Sequence, residues 1–144
     1  MKKISILNTE SKSEKFKRTA MFRLKFWTNI NSKPSHSSEA FWNRSTDHRI
    51  ICMVAVNAAL NQIPIEFSVS PNRRDVISYE SIRRLCRCTD KTMRTIIQEG
   101  VDRGELKKFK NGRETYITGT KSLVEVFERF EQAWINLYKS GEPN

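Results

Sequence analysis

Apolar positions recur at helical spacing through much of the 144-residue chain. Between Glu14 and Thr28, Phe16, Ala20, Leu24 and Trp27 step by four, four and three, which predicts a helix with that stripe turned inward. Phe22 and Phe26 lie off the stripe, so this helix is aromatic on more than one side. Residues 1–13 (MKKISILNTESKS) read as a mobile, basic start, and Asn31 to Ser38 (NSKPSHSS) as a linker. A second helix is expected from Asp47 to Asn61 with Thr46 as its cap. Its centre, Ile50 to Val56, is apolar nearly all round, as in a helix at the middle of a core, and Pro64 stops it. Ile65 to Ser70 alternates apolar and polar residues and predicts a short strand, followed by an exposed turn from Pro71 to Arg74.

From Ile77 onward the pattern becomes more specific. Ser78 is placed to cap a short helix over Glu80 to Cys86, with Ile82 and Leu85 as its inward pair, and Arg87-Cys88 makes a tight turn. Thr89 suits the cap of a following helix, and Asp90 favours the positive end of its dipole. At about 100° per residue, Met93, Ile96, Ile97, Gly100 and Val101 form one apolar stripe on this helix. Lys91, Thr95, Gln98 and Asp102 lie on the opposite side, with Thr92 and Arg94 on the flanks. A helix buried on one side and carrying Lys, Thr, Arg and Gln on the other has the chemistry that base edges and phosphates in a major groove require. Gly104 ends the helix. Residues up to Ile117 then form a hairpin whose Asn111-Gly112 pair is a strong turn signal. Lys107 and Lys108 lie on its incoming strand, and Lys110 and Arg113 at its tip, where a guanidinium suits the negative potential of a narrow minor groove.

Ile82, Leu85, Thr89, Met93, Ile96, Ile97, Val101, Gly104 and Leu106, followed by the Asn-Gly hairpin, resemble the winged helix-turn-helix of the multiple-antibiotic-resistance regulator (MarR) family. The likeness covers about Ser78 to Thr120 and is specific to winged helices more than to that family. It implies a mainly α fold with a small β-hairpin wing and flanking dimerisation helices. It also implies a dimeric regulator, a repressor, on a pseudo-palindromic site. DNA-contacting positions would be Ser78, Thr89, Lys91, Thr92, Arg94, Thr95, Gln98, Lys108, Lys110 and Arg113. The chain departs from the family pattern in its longer stretch Ile63 to Val76 and in having one long helix after the wing. A small-molecule effector is compatible with the resemblance, but no residue points to one.

That last helix is expected from Lys121 to Ser140. Leu123, Phe127, Phe130, Trp134 and Leu137 step along it by four, three, four and three, the spacing of a coiled-coil seam. The stripe has two candidate partners, a second subunit or the chain's own helices, and the dimer is the favoured reading. Two parts follow: a basic arm and helix over residues 1–35, and a winged helix-turn-helix domain with its dimerisation helix over 36–144.

Charge narrows the partner to an anionic surface, nucleic acid or membrane, without choosing between them. The net charge is +10, and it is concentrated: residues 1–35 carry a net +7 and residues 72–115 a net +5, whereas 36–71 and 116–144 each carry −1. Two basic blocks between near-neutral segments suit a surface that meets a polyanion. Duplex DNA is the expected partner. A phage or plasmid replication, partition or packaging factor is the alternative, and an RNA- or membrane-surface module driven by the first 35 residues is a third reading.

No apolar run approaches the roughly 20 residues of a membrane span, no membrane is expected as partner, and the cytoplasm is the expected compartment. Neither histidine sits in a catalytic motif and there is no glycine-rich phosphate loop, so no enzyme activity and no cofactor are expected. The three cysteines, Cys52, Cys86 and Cys88, are read mainly as small hydrophobes. Cys86 and Cys88 have only Cys52, His36 and His48 to recruit, so no metal site is expected. The neighbouring Arg87, Lys91 and Arg94 suggest a lowered Cys88 pKa and a redox-sensitive thiol.

Overall fold

The computed structural model describes residues 2–68 and 72–140, and side chains from Lys12 to Lys139 within them. It is mainly helical, with one small antiparallel sheet of three strands, and it divides into two compact units. One unit combines the first 34 residues with those from Arg129 onward, and the other is Ser35–Glu128.

In the first unit, helix α1 spans Lys2–Asn31. The expected mobile start is therefore corrected: the helix runs back to Lys2, because no glycine or proline interrupts the chain before Pro34 and a helix, once nucleated, extends through tolerant residues. The inward face is also corrected. Phe22, Phe26 and Ile30 are buried, whereas Phe16 and Leu24 of the expected stripe are 76% and 65% exposed. The choice between two apolar faces is made by the last helix, α6 (Lys121–Ser140), whose Phe130, Ala133, Trp134 and Leu137 pack on Phe22, Phe26 and Ile30. Trp134 meets Phe22 and Phe26 edge-on, with ring centroids 4.1 and 5.0 Å away. Arg18 donates to the Tyr138 carbonyl oxygen at 2.6 Å and lies over its ring. Arg18 with Tyr138 and Phe26 with Trp134 pair in opposite chain directions, so the two segments are antiparallel.

The second unit begins where a linker is expected. Ser37 accepts a hydrogen bond from Ala40 N–H and caps a five-residue helix, α2 (Ser38–Trp42), which buries Phe41 and Trp42 completely. Central helix α3 (Thr46–Ala59) is capped by Ser45 rather than Thr46 and closes at Asn61, in the left-handed region at φ 54°. In place of the expected strand, Ile65–Phe67 is a single 3-10 turn started by Pro64; Val69, Ser70 and Pro71, which complete the expected strand and open the expected turn, lie outside the described residues. Ile63 and Arg74 close this excursion, with Ile63 N–H donating to the Arg74 carbonyl and Arg74 Nε to the Ile63 carbonyl.

Strand β1 (Ile77–Ser78) leads into helix α4 (Tyr79–Leu85), then helix α5 (Asp90–Asp102), β2 (Leu106–Asn111) and β3 (Glu114–Gly119). The sheet order is β1-β3-β2, with Ile77 opposite Ile117 and Leu106 opposite Gly119. β1 leaves no signal in the sequence, since two residues carry no legible alternation. The central strand β3 lies on α3 so closely that a Cβ at Gly119 would sit 2.9 Å from the Ala55 carbonyl oxygen. The core consists of Phe41, Trp42, Ile51, Ile63, Ile77, Ile82, Met93, Ile97, Ile117 and Leu123.

One buried carboxylate joins α2 to the start of β2. Glu105, 4% exposed, accepts from Trp42 Nε1 at 2.9 Å, Ser38 Oγ at 2.6 Å and Arg103 Nε at 2.9 Å. A buried anion is tolerated only when its oxygens are satisfied, and breaking such a set leaves orphaned donors. Glu105→Ala is expected to lower unfolding free energy by about 3 kcal/mol or more, read from the urea midpoint at unchanged slope. A loss under about 1 kcal/mol would show that the cluster is incidental.

Candidate nucleic-acid interface

Thr89 Oγ1 accepts from Thr92 N–H at 3.1 Å and starts α5 where the sequence places its cap. Met93, Ile96, Ile97 and Gly100 are buried and turn α5 onto the core, so Lys91, Thr92, Arg94, Thr95 and Gln98 emerge together on its exposed side. Leu106, Lys108 and Lys110 alternate along one face of β2. Leu106 reaches the position beside Gly100 and Lys108 reaches Gln98, so this face of the hairpin is turned toward α5. Between helix and strand lies a shallow groove of about 450 Å³ lined by Tyr79, Asp90, Lys91, Arg94, Thr95, Gln98 and Lys108. Asn111 pairs with Glu114, which leaves Gly112 and Arg113 as the two loop residues, and Gly112 takes φ 65° at the first of them, as a type II′ turn demands.

The polar side of α5 is held by a network of its own. Asp90 accepts from Arg83 Nε and Arg94 Nε, both at 2.7 Å, and Arg94 also lies over the Tyr79 ring. The two guanidinium donors hold the Asp90 carboxyl below its usual value. Lys108 Nζ donates to Gln98 Oε1 at 2.9 Å, while Gln98 Nε2 donates to Asp102. Thr95 Oγ1 donates back to the Lys91 carbonyl. Lys91, Lys110 and Arg113 are exposed, as are Arg87 and Lys107 nearby. Ser78 falls outside this surface. It is 3% exposed and its hydroxyl is engaged with Ser81, so the DNA contact expected of it is corrected to a capping role. Thr89 is exposed but its hydroxyl serves the cap. Of the expected seam on α6, Leu123 is buried in the second unit, while Phe130, Trp134 and Leu137 pack on α1 of the same chain; Phe127 is half-buried.

No protein-family model, curated protein or solved structure matches the chain.

Three contributors were not legible in the sequence: Tyr79, Arg83 and Asp47. Asp47, in the first turn of α3, reaches the turn between α4 and α5. Its Oδ1 accepts from Arg87 N–H at 3.0 Å and its Oδ2 from Cys88 N–H at 2.9 Å. Burial opposes its ionisation, but these amides and the adjoining thiols hold its carboxyl below the usual value. The expected lowering of the Cys88 thiol is overturned. Burial and then Asp47 raise it, and burial, Asp47 and Cys88 push Cys86 up to about 12. None of Arg87, Lys91 and Arg94 is among the groups that shift the Cys88 thiol. Cys52, buried in α3, is likewise raised to about 12 by burial and then Glu105.

His48, beside Asp47, is buried against Phe41, and its Nδ1 lies 2.7 Å from Ser45 Oγ. Burial, then Arg44, holds its pKa below 6.5. Below that pH the unfolded chain takes up a proton that the folded chain resists, so stability should fall as the pH drops from about 7.5 to 5.5. The lowered Asp47 carboxyl adds its own acid sensitivity only below its ordinary 3.8. Urea midpoints across this range should decline in the wild type and flatten in His48→Gln; an equal slope in both would assign the effect elsewhere.

Proposed function

We propose that the chain is a sequence-specific duplex-DNA-binding regulator, a repressor, and that the segment from β1 to β3 works as a winged helix-turn-helix. The observation that carries this reading is the shared groove. An N-capped helix exposes Lys91, Thr92, Arg94, Thr95 and Gln98 beside a hairpin that supplies Lys108, Lys110 and Arg113. In the proposed complex α5 enters the major groove, its first turns reading base edges, while the hairpin tip follows the phosphates into the adjacent minor groove. The Lys108–Gln98–Asp102 chain holds the glutamine before DNA arrives, and contact with a base requires Gln98 to exchange at least one of these partners.

On this reading the two halves of the surface respond differently to substitution. Thr95→Ala or Gln98→Ala should relax selectivity at one base pair, by ~1–3 kcal/mol. Arg113→Ala should weaken binding to all sequences and erase any preference for A·T-rich flanks. Selection of bound duplexes from a random pool, repeated with each variant, reads both effects. Equal losses on cognate and random DNA for Thr95→Ala and Gln98→Ala would remove α5 from base reading. Protection confined to a replication origin or packaging site, and absent from promoters, would favour the accessory-factor alternative.

The regulator is further proposed to act as a homodimer on a pseudo-palindromic site. With much of the α6 stripe packed inside the chain, the support for this comes from α1, where Phe16, Met21 and Leu24 are 76%, 60% and 65% exposed. Burying such side chains between two subunits removes apolar surface from water at roughly 25 cal/mol per Å². Leu24→Glu should shift sedimentation from dimer to monomer at micromolar concentration and reduce operator affinity at least tenfold. A wild-type chain that sediments as a monomer and binds one asymmetric site tightly would overturn the dimer.

A further inference from the structure

The turn that joins α4 to α5 gathers more chemistry than a turn needs. Cys86 and Cys88 converge on Asp47, which lies far away in sequence on α3. Their sulfur atoms and a carboxylate oxygen all lie within 4.8 Å of one another, in partly buried positions. We propose that Asp47, Cys86 and Cys88 form a three-ligand site for a thiophilic divalent cation of the zinc class, a property independent of duplex binding.

Two sulfur donors exclude magnesium and calcium, which take oxygen ligands, and favour borderline and soft metals. A tetrahedral zinc centre with bonds of about 2.3 Å to sulfur keeps its ligand atoms roughly 3.8 Å apart. The spacing here is within about 1 Å of that geometry, a distance that small side-chain rotations span. Each Asp47 oxygen accepts one backbone amide, and the lone pairs that face the Cys86 and Cys88 thiols are released for a metal when those thiols lose their protons to it. Those amides, from Arg87 and Cys88, would fix the carboxylate as outer-shell donors fix metal ligands. Binding forms two metal–sulfur bonds and breaks two S–H bonds, and the two protons pass to water. Three crowded acidic groups thereby gain a dication that offsets their mutual repulsion. The fourth position is left to water or an external ligand. The cation would join α3 to the turn immediately before the Thr89 cap.

Cadmium is a suitable spectroscopic probe of zinc-type thiolate sites, added to the full-length reduced chain. One equivalent should produce the ultraviolet charge-transfer band of cadmium bound to two thiolates, and zinc should compete it away. The band should vanish in Cys86→Ser/Cys88→Ser, survive in Cys52→Ala, and need at least tenfold more cadmium in Asp47→Asn. The serine variants keep the Asp47–amide clamp, so circular dichroism should show them folded. Because Asp47→Asn weakens that clamp, a second measurement uses the wild type alone. Zinc should slow alkylation of Cys86 and Cys88 by iodoacetamide at least tenfold, mapped by mass spectrometry. Absence of the band at one equivalent, its persistence in the double-serine variant, or alkylation indifferent to zinc would each overturn the site.

Discussion

The orientation of α5 rests on two carboxylates that must find hydrogen-bond donors inside the fold. Asp47 binds the amides of Arg87 and Cys88 just before the helix starts, and Glu105 binds Trp42, Ser38 and Arg103 just after it ends. A partly buried anion without donors costs several kcal/mol, so neither end of α5 can swing away without leaving a charge unsatisfied. The apolar stripe Met93, Ile96, Ile97 presses the helix onto the core but leaves it free to slide or tilt, because apolar contact has little directionality. The two carboxylates supply the direction.

With α5 fixed at both ends, the hairpin that follows is fixed as well. β2 leaves directly from Glu105, β3 returns along α3 at the close approach of Gly119, and Thr120 bonds to the Gly104 carbonyl while capping α6. Lys108 then meets Gln98 as a consequence of strand alternation. The groove between helix and hairpin is a product of this chain of constraints. Its charge is tempered by Asp90, which engages Arg83 and Arg94 together. These exposed pairs add little stability, but they set where the guanidinium groups point.

The unit built from α1 and the end of α6 follows a different logic. Its small core is a set of edge-on rings, Phe22, Phe26 and Trp134, flanked by Arg18 and Arg23 lying over aromatic faces. Much of the basic character of the first 35 residues is thus carried on a helix whose aromatic side chains have structural work, and the cations partly serve as lids on those rings.

Local sequence determined the elements from Ser78 to Thr120, because their signals act within a few residues: Ser78 and Thr89 as caps, the stripe of α5, the break at Gly104, and the hairpin glycine Gly112, which takes the first loop position with Arg113 after it rather than the second behind Asn111. The same locality explains the elements whose sequence signals mislead or are missing. A helix of five residues at Ser38–Trp42 is too short for periodicity to register, and Ile65–Phe67 alternates like a strand but joins no strand among the described residues. On α1 and α6 the spacing of aromatic residues permitted two inward faces and two partners. The choice fell to whichever helix the chain brought alongside, since hydrophobic burial rewards area without specifying its source. The Asp47 clamp, its two thiols and the Glu105 cluster join residues tens of positions apart, and a single sequence carries no mark of such meetings. The side chains were present in the text; only the tertiary structure decided which of them would share a proton donor, because hydrogen-bond satisfaction is a condition on positions in space.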